Sequence, residues 1–217
     1  MLLNRERVKF WQKIVFGAMA ALMAGFLIFG YSGVMQSCRN PGVVQTGNSA
    51  LDKQLKQAAQ TLKTNPKDPT ALFQLAQGYQ AAGNSQTDGS AEQADDLSKA
   101  LTYYDRYIKL PDATLGATAE DLRYSAYQNK IAAYTKLLDY AGVARTYKAM
   151  IKLRPKDAQL VLGLGLSQAN AGLNADAVAT LQKYLKLEPH SQYTKDIKAA
   201  IVKLKAAAAS PSPSTSP

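Results

Sequence analysis

Proline recurs at the ends of helical stretches, and this recurrence constrains the chain more than any other feature. Pro66, Pro111, Pro155 and Pro189 mark off three units, the first two nearly equal in length and the last one shorter. Their contexts are alike: LKTNPKDPTAL, IKLPDAT, IKLRPKDAQL and LKLEPHSQY. Proline cannot continue a helix, because it lacks the N–H and clashes with the preceding turn. Gly83 follows Pro66 at the same distance as Gly172 follows Pro155. Each reads as a C-terminal cap between two helices. β-branched residues are sparse over this stretch, which favours helices over strands.

The second helix of each unit places apolar residues at offsets of four and seven. The sets are Ala100/Tyr104/Tyr107, Val143/Tyr147/Met150 and Ala177/Leu181/Tyr184. Such spacing gives one buried face. The pattern resembles the tetratricopeptide repeat, two antiparallel helices in about 34 residues closed by proline. The resemblance covers roughly residues 50–205. It rests on Leu72, Leu75, Ala76, Tyr79 and Gly83 in the first unit and on Gly165, Ala177, Leu181 and Tyr184 in the last. It implies an all-α array of about three helical hairpins plus a capping helix. Residues 50–64 read as a lone leading helix with Ser49 as N-cap, and Ser191 to Lys205 as the solvating cap.

Three departures from the family pattern stand out. The first unit carries an acidic insertion, about Ser85 to Leu97, which reads as a solvated loop flowing into the next helix and lacks the order of a calcium-binding loop. The middle unit starts late, after PDATLGATAED, and its first helix reads on Tyr124, Tyr127, Ile131, Tyr134 and Leu138. Lys130 falls where the family prefers an apolar residue, and Ile131 where it prefers a small one, so packing there is expected to be looser or reregistered.

Ahead of the repeats runs a long uncharged stretch, Ile14 to Met35. As a helix it is about 33 Å long, enough for a hydrocarbon core of roughly 30 Å. It reads as a single transmembrane helix. A cleaved signal peptide and a lipoprotein acylated at Cys38 are the alternatives, and the exit GYSGVMQSC fits both poorly. Arg5, Arg7, Lys9 and Lys13 precede the run, so residues 1–13 are expected in the cytoplasm and the repeats outside it. Gly17, Ala21 and Gly25 share one face, where two helix backbones can approach and self-associate. Residues 36–49 read as a linker, and residues 206–217 as a disordered Ala/Pro/Ser tail.

Composition limits function. The net charge is +10. Removing residues 1–13 leaves 22 of the 26 basic and 15 of the 16 acidic residues, net +7. The basic residues are scattered without a base-reading motif, so no nucleic-acid partner is expected. Arg145, Lys148 and Lys152 share a helix face that reads as solvated, with contact to lipid headgroups as the alternative. Cys38 is the only cysteine and His190 the only histidine. No intrachain disulfide, metal site or cofactor is expected, and no nucleophile, acid–base or phosphate-loop constellation can be nominated.

The resemblance implies a binding function. First helices of such repeats line a concave groove for a peptide or helix of a protein partner. Its candidate residues are Phe73, Gln77, Gln80, Gln128, Thr135, Leu162, Leu166 and Asn170. They are free of charge, and the Lys/Arg/Asn set that clamps a C-terminal carboxylate in part of the family is absent. The expected function is a membrane-anchored scaffold. The alternative is a permanent structural subunit of a larger membrane complex.

Overall fold

The computed structural model describes residues 49–209. The expected cytoplasmic tail, transmembrane run with Gly17, Ala21 and Gly25, most of the linker, and residues 210–217 lie outside the described residues. Among those described, no helix is long and apolar enough to cross a membrane.

The described chain is all-helical. Long helices follow one another: α1 (Ser49–Thr64), α2 (Pro69–Ser85), α3 (Ala91–Ile108), then, after a short α4 (Asp112–Leu115) and a 3₁₀ turn (Gly116–Thr118), α5 (Ala119–Lys136), α6 (Tyr140–Leu153), α7 (Ala158–Asn170), α8 (Asn174–Leu187) and α9 (Thr194–Ala209). Each long helix packs on its neighbour in sequence. The connections are short, so packed neighbours run antiparallel. Aspartates start the helices that follow the first and third prolines. Asp68 accepts from the Ala71 N–H at 2.8 Å, and Asp157 accepts from Gln159 and Leu160. Each satisfies N–H groups that have no partner inside the helix.

The core is unevenly built. One apolar cluster gathers Leu55, Leu72, Leu75, Tyr104 and Tyr107 from α1 to α3. Another joins Val161, Leu181, Tyr184, Ile197 and Ile201 from α7 to α9. The first cluster runs on through Leu115 to Ala119 and Ala126 of α5, and Leu97, Leu101 and Ala133 form a smaller one between α3 and α5. Polar ties supplement it. Arg123 of α5 donates to the Ile108 and Leu110 carbonyls at 3.0 and 2.6 Å, capping the end of α3, and pairs with Asp112 at 2.5 Å. Lys130 of α5 pairs with Asp105 of α3.

Several sequence expectations are corrected. The loop of the acidic insertion is shorter than expected: Ser90 accepts from the Gln93 N–H and α3 starts at Ala91, so that only 86–90 lie outside helices. Gly83 is not a cap. It lies inside α2, buried against Leu97, whose Cγ would be 2.7 Å from any added Cβ. The buried stripe of α5 is Ala126, Lys130 and Ala133, not the tyrosines, which are half-buried at its flanks. Small side chains let α5 approach its neighbours closely, so the large rings are displaced sideways. Ala206 to Ala209 continue α9 rather than belonging to the tail.

Leu138 is the one non-glycine residue among those described with positive φ, at 57°. It takes the turn position that Gly172 fills with φ 74° at the end of α7. A left-handed conformation costs an L-residue roughly 1–2 kcal/mol. The side chain is 70% exposed, so little burial offsets that cost. Replacing Leu138 by glycine is expected to raise stability by about 0.5–1 kcal/mol, after the greater freedom of glycine in the unfolded chain is subtracted. Chemical denaturation of both proteins checks this; a lower midpoint for Leu138→Gly would mean that the leucine packs on something essential.

Candidate groove on the first helices

The helices that open each pair, α2, α5 and α7, carry all eight residues expected to line a groove. The structure separates these into two groups. Phe73 is half-buried and packs inward, its ring centroid 5.8 Å from Tyr104 and 5.0 Å from Tyr107. Gln80 is also committed internally. It accepts the Tyr104 hydroxyl at 2.7 Å and donates to the Asn129 carbonyl of α5 at 3.2 Å. Burial pushes the Tyr104 phenol well above its ordinary pKa, so it remains a donor to that amide. Leu162 is half-buried against the cluster of α7 to α9. These three residues build the scaffold.

Gln77, Gln128, Thr135, Leu166 and Asn170 are exposed. Leu166 is 47% exposed, a large apolar group facing water on a helix whose opposite face is buried. Gln128 lines a cleft of about 260 Å³ where α5, α6 and α7 meet. Its walls are Tyr124, Ile131, Tyr147, Met150, Gln159 and Leu160. Thr135 lies instead on a larger cleft of about 710 Å³, between the 84–94 segment and the end of α5. Gln128 and Thr135 therefore belong to different concavities.

The smaller cleft has defined walls. Arg154, just past α6, donates to Asp121 at 2.6 Å and to Glu120 at 3.3 Å. Its guanidinium sits 3.9 Å from the centre of the Tyr124 ring. This fixes Tyr124 at the edge of the cleft. Tyr147 faces it, with its phenol pKa raised by burial and, next, by Tyr124. The amides of Gln128 and Gln159 supply both donors and acceptors. No protein-family model and no curated protein matches this chain. A volume of about 260 Å³ is below the roughly 300–1,000 Å³ of small-molecule sites. It suits one or two side chains of a longer ligand lying across it.

The larger cleft is bridged by an ion pair. Lys136 pairs with Asp88 at 2.5 Å, and Gln93 also donates to Asp88 at 3.1 Å. The hydrogen bonds from Lys136 and then Gln93 hold the Asp88 carboxyl below the usual carboxylate range. Among the described residues, no cluster of three His, Cys, Asp or Glu side chains is placed to hold a metal.

Sequence reasoning missed Tyr124, Tyr147 and Gln159 as lining residues. The first two carry the helical period of a core, and their half-burial is what makes them walls. Gln159 sits in the first turn of α7, and only the approach of α5 brings it to the same cleft.

Proposed function

We propose that this chain is a membrane-anchored scaffold of tetratricopeptide type, which binds a neutral segment of a protein partner along its first helices. The observation that carries the reading is the absence of charge from α2 and α7, with Gln77, Leu166 and Asn170 exposed on them and Gln128 exposed on α5 beside the small cleft where α5, α6 and α7 meet. Further support comes from the pairing of consecutive helices and from the small residues at their crossings. Leu166 supplies apolar area, and the amides can pair with a partner backbone. The uncharged run before the repeats supports a single-span anchor, with the repeats on the extracytoplasmic side.

Site-specific photo-crosslinking in the full chain tests this. Probes at Gln77, Leu166 and Asn170 are expected to capture one common partner, while a probe at Thr102, on α3, captures none. Leu166→Glu is expected to weaken capture at least about tenfold without loss of helicity, since a charge would have to be desolvated at the contact. Capture from Thr102 alone would place the interface elsewhere and end this reading.

A further inference from the structure

The two halves of the described chain differ in charge. Residues 51–139 carry 10 basic and 11 acidic residues, whereas residues 140–209 carry 11 basic and 4 acidic. In the first half several basic groups are tied down: Lys99 to Asp95, Arg123 to Asp112, Lys130 to Asp105 and Lys136 to Asp88. In the second half Arg145 pairs with Asp139 and Arg154 with Glu120 and Asp121, whereas several lysines have no such partner among the described residues. Lys148 and Lys152 on α6 and Lys183 and Lys186 on α8 are exposed, and none pairs with a carboxylate among the described residues.

Their placement is ordered. On α6 the buried stripe is Val143, Thr146 and Met150. At 100° per residue, Arg145, Lys148 and Lys152 lie on the opposite side. On α8 the buried stripe is Ala177, Leu181 and Tyr184. Lys186 lies opposite it, and Lys183 at its outer flank. Lys152 stands three residues before Pro155, and Lys186 three before Pro189, so the two second helices carry charge at matching positions. When α3 is matched through its own Ile-Lys-Leu ending, the places of Arg145 and Lys148 are held by Thr102 and Asp105. On α3, Arg106 and Lys109 hold the places of Lys183 and Lys186 when the buried stripes are matched, so what sets α6 apart is its further pair, Arg145 and Lys148.

We propose that this face of α6 and α8 binds the anionic headgroups of a bilayer, laying the C-terminal half of the domain against the membrane that holds its anchor. The proposal rests on the anchor reading for its geometry, and the test separates the two. Alanine and glutamine, not aromatic rings, lie between the lysines on these outer faces. Nucleic-acid strands bound without sequence preference need stacking platforms as well as charge. A headgroup layer needs only a spread of cations at its surface. An anchor on the same chain raises the local concentration of that surface, so weak contacts suffice.

The test uses the full chain reconstituted into vesicles of phosphatidylcholine alone, or with one-third phosphatidylglycerol, and exposed to a membrane-impermeant amine reagent. Modification of Lys148, Lys152, Lys183 and Lys186 is expected to slow at least about tenfold on the anionic vesicles, while Lys53, Lys56 and Lys63 react equally on both. High salt should abolish the protection. The variant K148E/K152E/K183E/K186E, checked for native helicity, should lose salt-sensitive flotation when added to preformed anionic vesicles. Equal modification rates on the two vesicle types overturn the proposal. So does protection by a single-stranded oligonucleotide on neutral vesicles with none on anionic lipid, which assigns the face to nucleic acid. Retention in neutral vesicles at alkaline pH reads the anchor alone. A chain that fails that retention yet floats with anionic vesicles at low salt has lost the anchor reading and still supports this one.

Discussion

Gly165→Leu is expected to lower the melting temperature by about 2–12 °C. A Cβ at Gly165 would lie 2.6 Å from Cδ2 and 2.8 Å from Cγ of Leu181, with the Leu181 backbone nitrogen at 3.5 Å. Leu181 has no room to retreat, because it is fully buried between α7 and α9. Forcing a larger residue into such a contact costs about 1–3 kcal/mol, and each kcal/mol corresponds to roughly 2–4 °C in a domain of this size. Leu166→Ala, one residue along on the exposed face, should shift stability by no more than about 0.5 kcal/mol. Differential scanning calorimetry of the two variants distinguishes a crossing from a general intolerance of α7. Equal melting temperatures for the wild type and Gly165→Leu would mean that α7 and α8 do not cross there.

The second large effect is expected at the joint between α3 and α5. The Lys130 side chain is 10% exposed and pairs with Asp105, which is 45% exposed. The ammonium also sits 5.7 Å from the centre of the Tyr134 ring. Removing one partner of a well-buried pair costs about 3–5 kcal/mol. Water reaches Asp105, so the cost here is reduced, and Lys130→Ala is expected to destabilise by about 2 kcal/mol. Lys130→Met with Asp105→Asn keeps the stem's volume and leaves no unpaired charge. That double variant should recover most of the loss, and a double-mutant cycle by urea denaturation should give a coupling above about 0.5 kcal/mol. Additive single effects would show that Lys130 acts through packing alone.

The same joint shows what was legible and what was not. The helical class, the order of the hairpins, the leading helix and the cap were readable, because a helix announces itself through local period and its stop through proline. Two of the second-helix stripes were readable too: Ala100, Tyr104 and Tyr107 on α3 and Ala177, Leu181 and Tyr184 on α8 are buried, whereas on α6 Thr146 is buried in place of the expected Tyr147, which is half-buried. The buried stripe of α5 was not. Lys130 reads as sitting at an apolar place that it would pack loosely, and only the partner carboxylate of Asp105, on another helix, shows how a lysine is held there. The groove divided for a similar reason. Phe73 and Gln80 share a helix with the exposed Gln77, and only the approach of Tyr104, Tyr107 and Asn129 decides that they are already used.

By itself, then, the sequence determined the helices and where most of them end, because these follow from backbone chemistry and from periods of a few residues. It also set the uncharged run and the excess of lysine after residue 140, which are counts along the chain. Tertiary structure alone decided which polar groups are drawn into contacts between helices. Lys130 and Gln80 are spent on contacts between helices, while Lys148, Lys152, Lys183 and Lys186 face water. The reason is physical: a buried polar group must find its partner wherever packing brings one, and that partner lies far away in the chain.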